Sequence, residues 1–340
     1  MVFVSYLLLI LVTIAGSISL YYIFKKFDNK KGMILKVLSL VLALVITIRY
    51  MLGEGAISTT RGLNMFTPFN DDIYKTVISV LLIWFSYASI LMLILNSFFK
   101  INNAKNFVKF FSLPVLLLDV IFFKWYSIAI IGTDAYSSFD FRLILMMLEL
   151  IISISMITST YISKDYFKVS KKEIKTLLIT LAPALIAIMP AYVLQALYGY
   201  ASFSLEFKSF SPEHRLMLYA GIIIPVLICI GFKKQSYEVK RFSMLYLSLA
   251  VLWSFMFKYG FSELADPLSW PVHLCHTAMF VIPICLIFKL DKLFYFSFFI
   301  NVMGAFLAML IPNTVEGVNV LATSNVLFWI NHFSAFFMPV

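Results

Sequence analysis

Long apolar segments dominate this sequence. Hydrophobic residues make up 62% of the chain and charged residues only 13%, a composition that excludes a soluble globular domain of this length. An α-helix needs about 20 residues to cross the apolar core of a bilayer. The sequence therefore predicts an all-α, polytopic membrane helix bundle of about eleven transmembrane helices. The predicted helices lie at 3–24, 33–52, 73–98, 107–132, 141–163, 176–200, 214–232, 242–259, 268–288, 293–312 and 322–340.

Basic residues are concentrated in alternate loops. The loops after the first, third, fifth, seventh and ninth segments, taken with Lys36, hold 19 of the 27 Lys and Arg residues. The positive-inside rule therefore predicts a multi-pass protein of the cell membrane with its N-terminus outside the cytoplasm. The net charge of +10 predicts binding to anionic lipid headgroups at the cytoplasmic face rather than to nucleic acid.

An internal repeat suggests how the helices are grouped. Residues 23–55 and 231–263 each contain a basic loop, an apolar segment rich in Leu and Val, and a glycine near its far end. This pattern predicts two parallel six-helix units, the first at 1–205 and the second beginning at 206. The second unit then has five helices in 206–340, so we expect either that the natural chain continues or that its C-terminus is unusually bare.

The segment from Ser269 to Lys289 is apolar but contains His273, Cys275 and His276. Ionisable side chains are costly in lipid and usually face a cavity or a partner. At about 1.5 Å per residue, Cys275 lies roughly 12 Å below the predicted outer end of its helix.

Two further polar side chains are predicted at a similar depth. His332 lies roughly 15 Å below the outer end of its own segment at about 1.5 Å per residue, and Asn301 lies close to the same level. A thiol, an imidazole and an amide are the groups that a cysteine nucleophile needs. The predicted catalytic residues are Cys275 and His332, with His273, Asn301, His276 and Asn331 as supporting polar residues.

The same residues carry a resemblance to a known family. The motifs WPVHLC, LIPN and FWINHF resemble the YwaF-like family of integral membrane proteins, whose pattern is roughly LP-x-H-L-C followed by FF-x-x-H. That family includes an animal multispanning protein described as a phospholipid acyltransferase with a cysteine nucleophile. The resemblance covers about 210–340 and implies that Cys275 is the nucleophile, His332 the base and His273 a supporting group. Trp270 stands where the family usually has leucine, and the last helix of the family has no counterpart here.

The resemblance implies a membrane-embedded lipid acyltransferase, or a lipid hydrolase, that acts on membrane phospholipids in the outer half of the bilayer. Neither a cofactor nor a metal is expected, because His-x-x-His without a carboxylate is a weak zinc pattern. His332 can instead hold the bundle together through a hydrogen bond between helices. Cys229 and Cys285 are expected to be packing residues, and the oligomeric state is left open.

A second set of ionisable residues lies in the fourth and fifth segments and supports an alternative function. Structural ion pairing is favoured for these residues, most simply between Asp119 and a basic neighbour. A transporter or a non-enzymatic membrane accessory protein that uses these charges is the competing hypothesis. The residues are Asp119, Lys124, Arg142 and Glu149.

Overall fold

A computed structural model describes most of the chain. Its described residues are 2–52, 72–99, 101–131, 140–162, 166–188, 205–256, 265, 267, 274–320 and 323–339, of which 2–5, 255–256, 274–275 and 323–324 are described by their backbone alone. The described residues form helices and one isolated antiparallel bridge between Glu206 and Asn319. The prediction of an all-α, polytopic membrane bundle is confirmed.

The chain divides into two compact units, with the first ending at Ile188. The predicted boundary at 205 directly follows 189–204, which lie outside the described residues, so the domain limits and the repeat stay predictions. The first unit contains α1 (Val2–Lys26), α2 (Lys31–Leu52), α3 (Ile73–Asn96), α4 (Asn102–Phe107), α5 (Leu113–Ile121), α6 (Phe123–Ile131), α7 (Phe141–Tyr161) and α8 (Lys171–Ala187). The second contains α9 (Pro212–Phe232), α10 (Tyr237–Met256), α11 (Leu274–Phe288), α12 (Asp291–Leu310) and α13 (Thr323–Phe337).

Each of the eleven predicted segments overlaps at least one of these helices. Within the described residues, six helices are long and apolar enough to cross a membrane, and the number is seven if one bent pair counts as a single crossing. The apolar part of α11 is shorter, from His276 to Phe288. The count of eleven crossings therefore stays a prediction.

The fourth predicted helix is not continuous. It bends by 84° between Asn102–Ile121 and Phe123–Ile131. A break exposes backbone donors that need new partners, and the hydroxyl of Tyr6 accepts a hydrogen bond from the backbone N–H of Lys124 at 2.6 Å. The bend also leaves Asp119 fully buried and Lys124 exposed, so it separates two charged residues that one straight apolar helix would have to carry together.

Small and hydroxylated residues join α1 to α7 in the first unit. A Cβ built on Gly16 would come within 2.9 Å of the Ser155 hydroxyl, and the Thr158 hydroxyl donates to Ser17 Oγ at 2.9 Å. Close approach at small residues, supported by hydrogen bonds between helices, is a common way for membrane helices to associate.

Buried ionic contacts hold the interior of the first unit. Arg49 of α2 pairs with Glu149 of α7, with 2.7 Å between Nε and Oε2, and both side chains are fully buried. Among the described residues Asp119 does not pair with a basic side chain as predicted, because Arg49 is bound to Glu149 and Asp119 contacts the hydroxyl of Ser86 instead. Arg142 binds Asp140 immediately before α7.

The second unit packs α10, α11, α12 and α13 around a shared apolar core. Val251, Ala278, Ile282, Ala305 and Ala335 form its buried centre. These small and branched residues bring the four helices close together, which positions α11 and α13 against each other.

Helix α9 approaches α13 at a glycine. A Cβ on Gly221 would lie 2.8 Å from the ring of Phe333, whereas nothing lies within 4 Å of a Cβ on Gly231 of the same helix.

Gly221→Ala should lower the free energy of unfolding, because overpacking costs about 1–3 kcal/mol and outweighs the gain of up to about 1 kcal/mol from helix propensity. Gly231→Ala is the matched control and should be neutral or stabilising. Thermal unfolding of both variants in lipid measures the difference, and equal effects would contradict the close contact.

Candidate functional site

Helix α11 carries the predicted nucleophile in its first turn. Cys275 is the second residue of α11, and its side chain lies outside the described part of the structure, as does all of His273. The predicted pairing of Cys275 with His332 therefore stays a prediction. His276, one residue further along α11, is half-buried.

His332 is buried in α13 and its ring is held in one orientation. Only 5% of the residue is exposed, and its Nδ1 lies 2.7 Å from the backbone carbonyl oxygen of Phe328. A carbonyl oxygen can only accept, so in the neutral ring Nδ1 carries the proton and Nε2 carries the lone pair. The Phe328 ring, with 4.1 Å between ring centroids, further fixes the imidazole. The side chain thus presents Nε2 as a potential base.

Asn301 connects α12 with the first part of α11. It is almost fully buried, and its Oδ1 accepts a hydrogen bond from Thr277 Oγ1 at 3.4 Å. Thr277 follows Cys275 by two residues. The structure therefore brings one predicted supporting residue close to the helical turn that carries the predicted nucleophile.

Asn331 has an unusual environment for an amide. Only 1% of the residue is exposed, and neither Nδ2 nor Oδ1 has a hydrogen-bond partner among the described residues. It lines a small cavity of about 10 Å³ together with Ser248 and Ser334, a volume at the lower limit for one water molecule. Both serine hydroxyls already donate within their own helices, to the carbonyls of Leu245 and Ile330. The other lining residues are apolar, so the amide of Asn331 faces a largely apolar cavity.

The cavity is lined by residues of α11 that are in helical register with Cys275. Ala278 and Met279 line it, and they follow Cys275 by three and four residues. Residues at this spacing lie on one face of a helix. The cavity is therefore adjacent in helical register to the predicted nucleophile.

The other two cysteines differ in burial. Cys285 is buried in α11, as a packing residue is expected to be, whereas Cys229 is exposed on α9. Among the described residues, His, Cys, Asp and Glu side chains form no group of three that could hold a metal. That observation leaves the region around His273 and Cys275 undecided.

His214 is a buried polar residue that the sequence did not single out. It is fully buried, its Nδ1 accepts a hydrogen bond from the backbone N–H of Phe210 at 2.8 Å, and its Nε2 donates to the carbonyl of Met309 at 2.8 Å. The ring also packs against Trp329 of α13. His214 therefore ties the start of α9 to the end of α12 and to α13. The sequence signal is the S-P-E-H start of α9, in which Ser211 caps the helix by accepting from the backbone N–H of His214.

Backbone pairing closes the same end of the second unit. Residues 205–209 pair with 316–320 through hydrogen bonds such as Phe207 N–H to the Val318 carbonyl at 2.8 Å. We call these two segments the clasp. At one end of the clasp, hydrogen bonds from the Ser209 side chain and backbone hold the pKa of the Glu316 carboxyl below its usual value. Gly317 takes a φ of 76°, a conformation that glycine adopts at little cost.

Comparison with known proteins gives a family match for most of the second unit. Residues 209–340 match the TMEM164 family, a family of multispanning membrane proteins. The match covers α9 to α13 and, of the clasp, residue 209 and the whole segment 316–320, and it leaves the first unit unmatched. No curated protein and no solved structure matches the chain.

His214→Ala should destabilise the second unit. The substitution removes two buried hydrogen bonds and leaves the N–H of Phe210 and the carbonyl of Met309 without this partner, at a cost of about 2–4 kcal/mol. Arg215→Ala, at the exposed neighbouring position, is the control and should change little. Chemical or thermal unfolding in lipid checks the difference. Equal stability of the two variants would show that the buried ring is not a structural link.

Asn331→Leu should increase stability, in contrast to Asn301→Leu. A buried amide without partners costs about 1–3 kcal/mol, which an apolar side chain of similar size recovers. Asn301→Leu breaks a hydrogen bond to Thr277 and should lower the free energy of unfolding by about 1 kcal/mol. Melting temperatures of the two variants, measured side by side, should shift in opposite directions. A loss of stability in Asn331→Leu would mean that its amide has a strong partner.

Proposed function

We propose that the second unit is a lipid acyltransferase in which Cys275 is the nucleophile and His332 the general base. The observation that carries the proposal is the orientation of the His332 ring, whose Nδ1 is occupied by the Phe328 carbonyl and whose Nε2 is left with the lone pair. The resemblance of residues 210–340 to the YwaF-like family implies the same two roles.

A thiol inside an apolar bundle needs such a base. Burial favours the neutral thiol, which is a poor nucleophile, so an isolated membrane cysteine is inert. An imidazole that accepts the thiol proton produces the reactive thiolate. The neutral His332 ring has the tautomer that this step requires.

The reaction has two transfers. In the first, Nε2 of His332 takes the proton of Cys275, the thiolate sulfur attacks the ester carbonyl of a phospholipid, and the C–O bond breaks to give a thioester and a lyso-lipid alcohol that receives the proton. In the second, His332 deprotonates the hydroxyl of an acceptor lyso-lipid, whose oxygen attacks the thioester carbonyl. The C–S bond breaks to give the new ester, and the departing thiolate takes the proton back from His332 to regenerate the thiol. Attack by water in place of the acceptor gives hydrolysis, and the resemblance favours transfer.

Buried amides supply the remaining polar contacts. A tetrahedral intermediate carries negative charge on oxygen, and preorganised donors aimed at that oxygen stabilise it. Asn331 has two N–H donors that no described residue uses, which makes it the preferred candidate for this role. Asn301, His273 and His276 are proposed to position the reacting groups.

The surface of the second unit suits a substrate that arrives from the membrane. Helix α12 exposes large apolar side chains such as Tyr295, Phe299 and Met303, and α9 exposes Leu216 and Leu227. Exposed apolar faces of this kind contact acyl chains in a bilayer. We propose that membrane phospholipids are the substrate, at a site in the outer half of the cell membrane and with the N-terminus outside.

Transport through the first unit is not favoured by its geometry. The cation of Arg49 is bound to Glu149 in a fully buried pair, and Arg142 is bound to Asp140 at a helix start. Buried pairing of this kind serves the structure rather than a continuous polar path.

Cys275→Ser should abolish labelling by a thiol-reactive, lipid-like activity probe. The experiment uses the full chain in lipid and compares the wild type with Cys275→Ser and His332→Ala. Labelling should fall at least tenfold in His332→Ala, because removal of a general base typically costs about 10²–10⁴ in rate.

Cys285→Ser is the matched control, since Cys285 is a buried cysteine of the same helix. It should label like the wild type. Equal labelling of all four proteins, or none in any of them, would falsify the acyl-enzyme proposal.

A further inference from the structure

Among its described residues, the first unit contains one buried cation and two buried carboxyl groups. Arg49, Glu149 and Asp119 are all fully buried, and Glu149 and Arg49 are the charged groups that act electrostatically on Asp119. Arg49 already forms its ion pair with Glu149 at 2.7 Å. A second carboxylate in the same interior would be an uncompensated charge, which a dry apolar environment strongly disfavours.

The contacts of Asp119 point to the same conclusion. Its Oδ2 contacts Ser86 Oγ, and that hydroxyl also lies 2.8 Å from the carbonyl oxygen of Leu82. A serine hydroxyl has one proton. If Asp119 is protonated, the acid donates to Ser86 and Ser86 donates to Leu82, so that both contacts are hydrogen bonds. If Asp119 is a carboxylate, one of the two contacts has no proton.

The other oxygen of Asp119 fits an uncharged acid. Oδ1 is buried and has no hydrogen-bond partner among the described residues. Burial without a hydrogen bond costs the carbonyl oxygen of a neutral acid far less free energy than it costs a carboxylate oxygen, because a charged group loses more hydration free energy when it is buried.

We propose that Asp119 is a proton-binding site inside the first unit, occupied by a proton at neutral pH and built from Ser86 and the Arg49–Glu149 pair. The inference is independent of the acyltransferase proposal, which concerns the second unit. It gives the first unit a chemistry of its own, the reversible protonation of a buried acid.

The remaining titratable and charged groups on the helices that pack against α5 do not neutralise Asp119. Tyr126 donates to Glu149, Tyr87 accepts from Arg49, and Tyr6 accepts from the backbone of Lys124. Lys109 pairs with Glu173, Lys75 with Asp72 and Arg142 with Asp140. Lys124 and the α1 residues Lys25 and Lys26 are exposed. The proton is therefore the cation that balances Asp119 among the described groups.

Infrared spectroscopy of the full chain in lipid tests the proposal directly. Protein labelled with aspartate that carries ¹³C in its side-chain carboxyl group (Cγ) should show, at neutral pH, the stretching band of a protonated carboxylic acid at the isotope-shifted position. The label separates Asp119 from Glu149. The band should be absent in Asp119→Asn and present in Asp291→Asn, a control at an exposed aspartate of α12. A wild-type spectrum without the band, or a band retained in Asp119→Asn, would overturn the proposal.

Two isosteric variants provide a second readout. Asp119→Asn imitates a protonated acid and should keep the melting temperature of the wild type, whereas Glu149→Gln removes the carboxylate that is bound to Arg49 at 2.7 Å and should lower the melting temperature by roughly 10 °C. The opposite result, with Asp119→Asn destabilised and Glu149→Gln unaffected, would assign the charge to Asp119 and refute the proposal.

Exchange of choline for sodium in the buffer distinguishes a proton from a metal cation. The band should be the same in both salts. Its loss in sodium would mean that Na⁺ replaces the proton, and would overturn the proposal in favour of a sodium site.

Discussion

Burial of polar side chains in apolar helices is the constraint on which both units depend. Water is not available inside the bundle to satisfy a donor, an acceptor or a charge, so each polar group has to find a partner on a neighbouring helix. Arg49 and Glu149 do this in the first unit. His214, with Phe210 and Met309, does it in the second. The apolar faces alone leave helix rotation weakly defined, and these polar contacts fix it.

The same constraint makes the exceptions informative. Asp119 and Asn331 are buried as completely as the paired residues, yet each retains an atom without a partner among the described residues. A single apolar substitution would remove either of these buried polar side chains, so we infer that each has a functional role. At Asn331 the use proposed here is the stabilisation of an oxyanion, and at Asp119 it is the binding of a proton.

The all-α architecture could be predicted from the sequence because the bilayer imposes a length on each apolar segment, and a helix overlaps every predicted segment. The bend after Ile121 could not be predicted, because the residues next to it, Ile121 to Phe123, are apolar. The break also depends on Tyr6, which is distant in the chain and binds the backbone N–H of Lys124. Arg49 was overlooked for a similar reason. It lies near the end of an apolar segment, where a long side chain usually extends to the interface, and only its contact with Glu149 shows that it turns inward.

For the candidate site, the sequence indicated which polar residues are buried in the second unit, but not how they are hydrogen-bonded. Motif and depth predicted His332 and Asn301, and both are buried. The sequence gives no information on which nitrogen of His332 holds the proton, because that depends on the carbonyl of Phe328 in the folded helix. His214 was missed because its partners, Phe210 and Met309, are backbone groups that no pattern of side chains reveals.

The clasp has a consequence for the order in which the second unit folds. Its contact between Ser209 and Glu316 spans 107 residues of sequence, so translation of the intervening chain, at about 5–20 residues per second, takes on the order of 5–20 s. During that interval the segment 205–209, which precedes α9, has no backbone partner at 316–320, and until Met309 is made His214 of α9 lacks the carbonyl that it binds. The newly made α9 is therefore expected to depend on the insertion machinery or on a chaperone until the α12–α13 loop emerges.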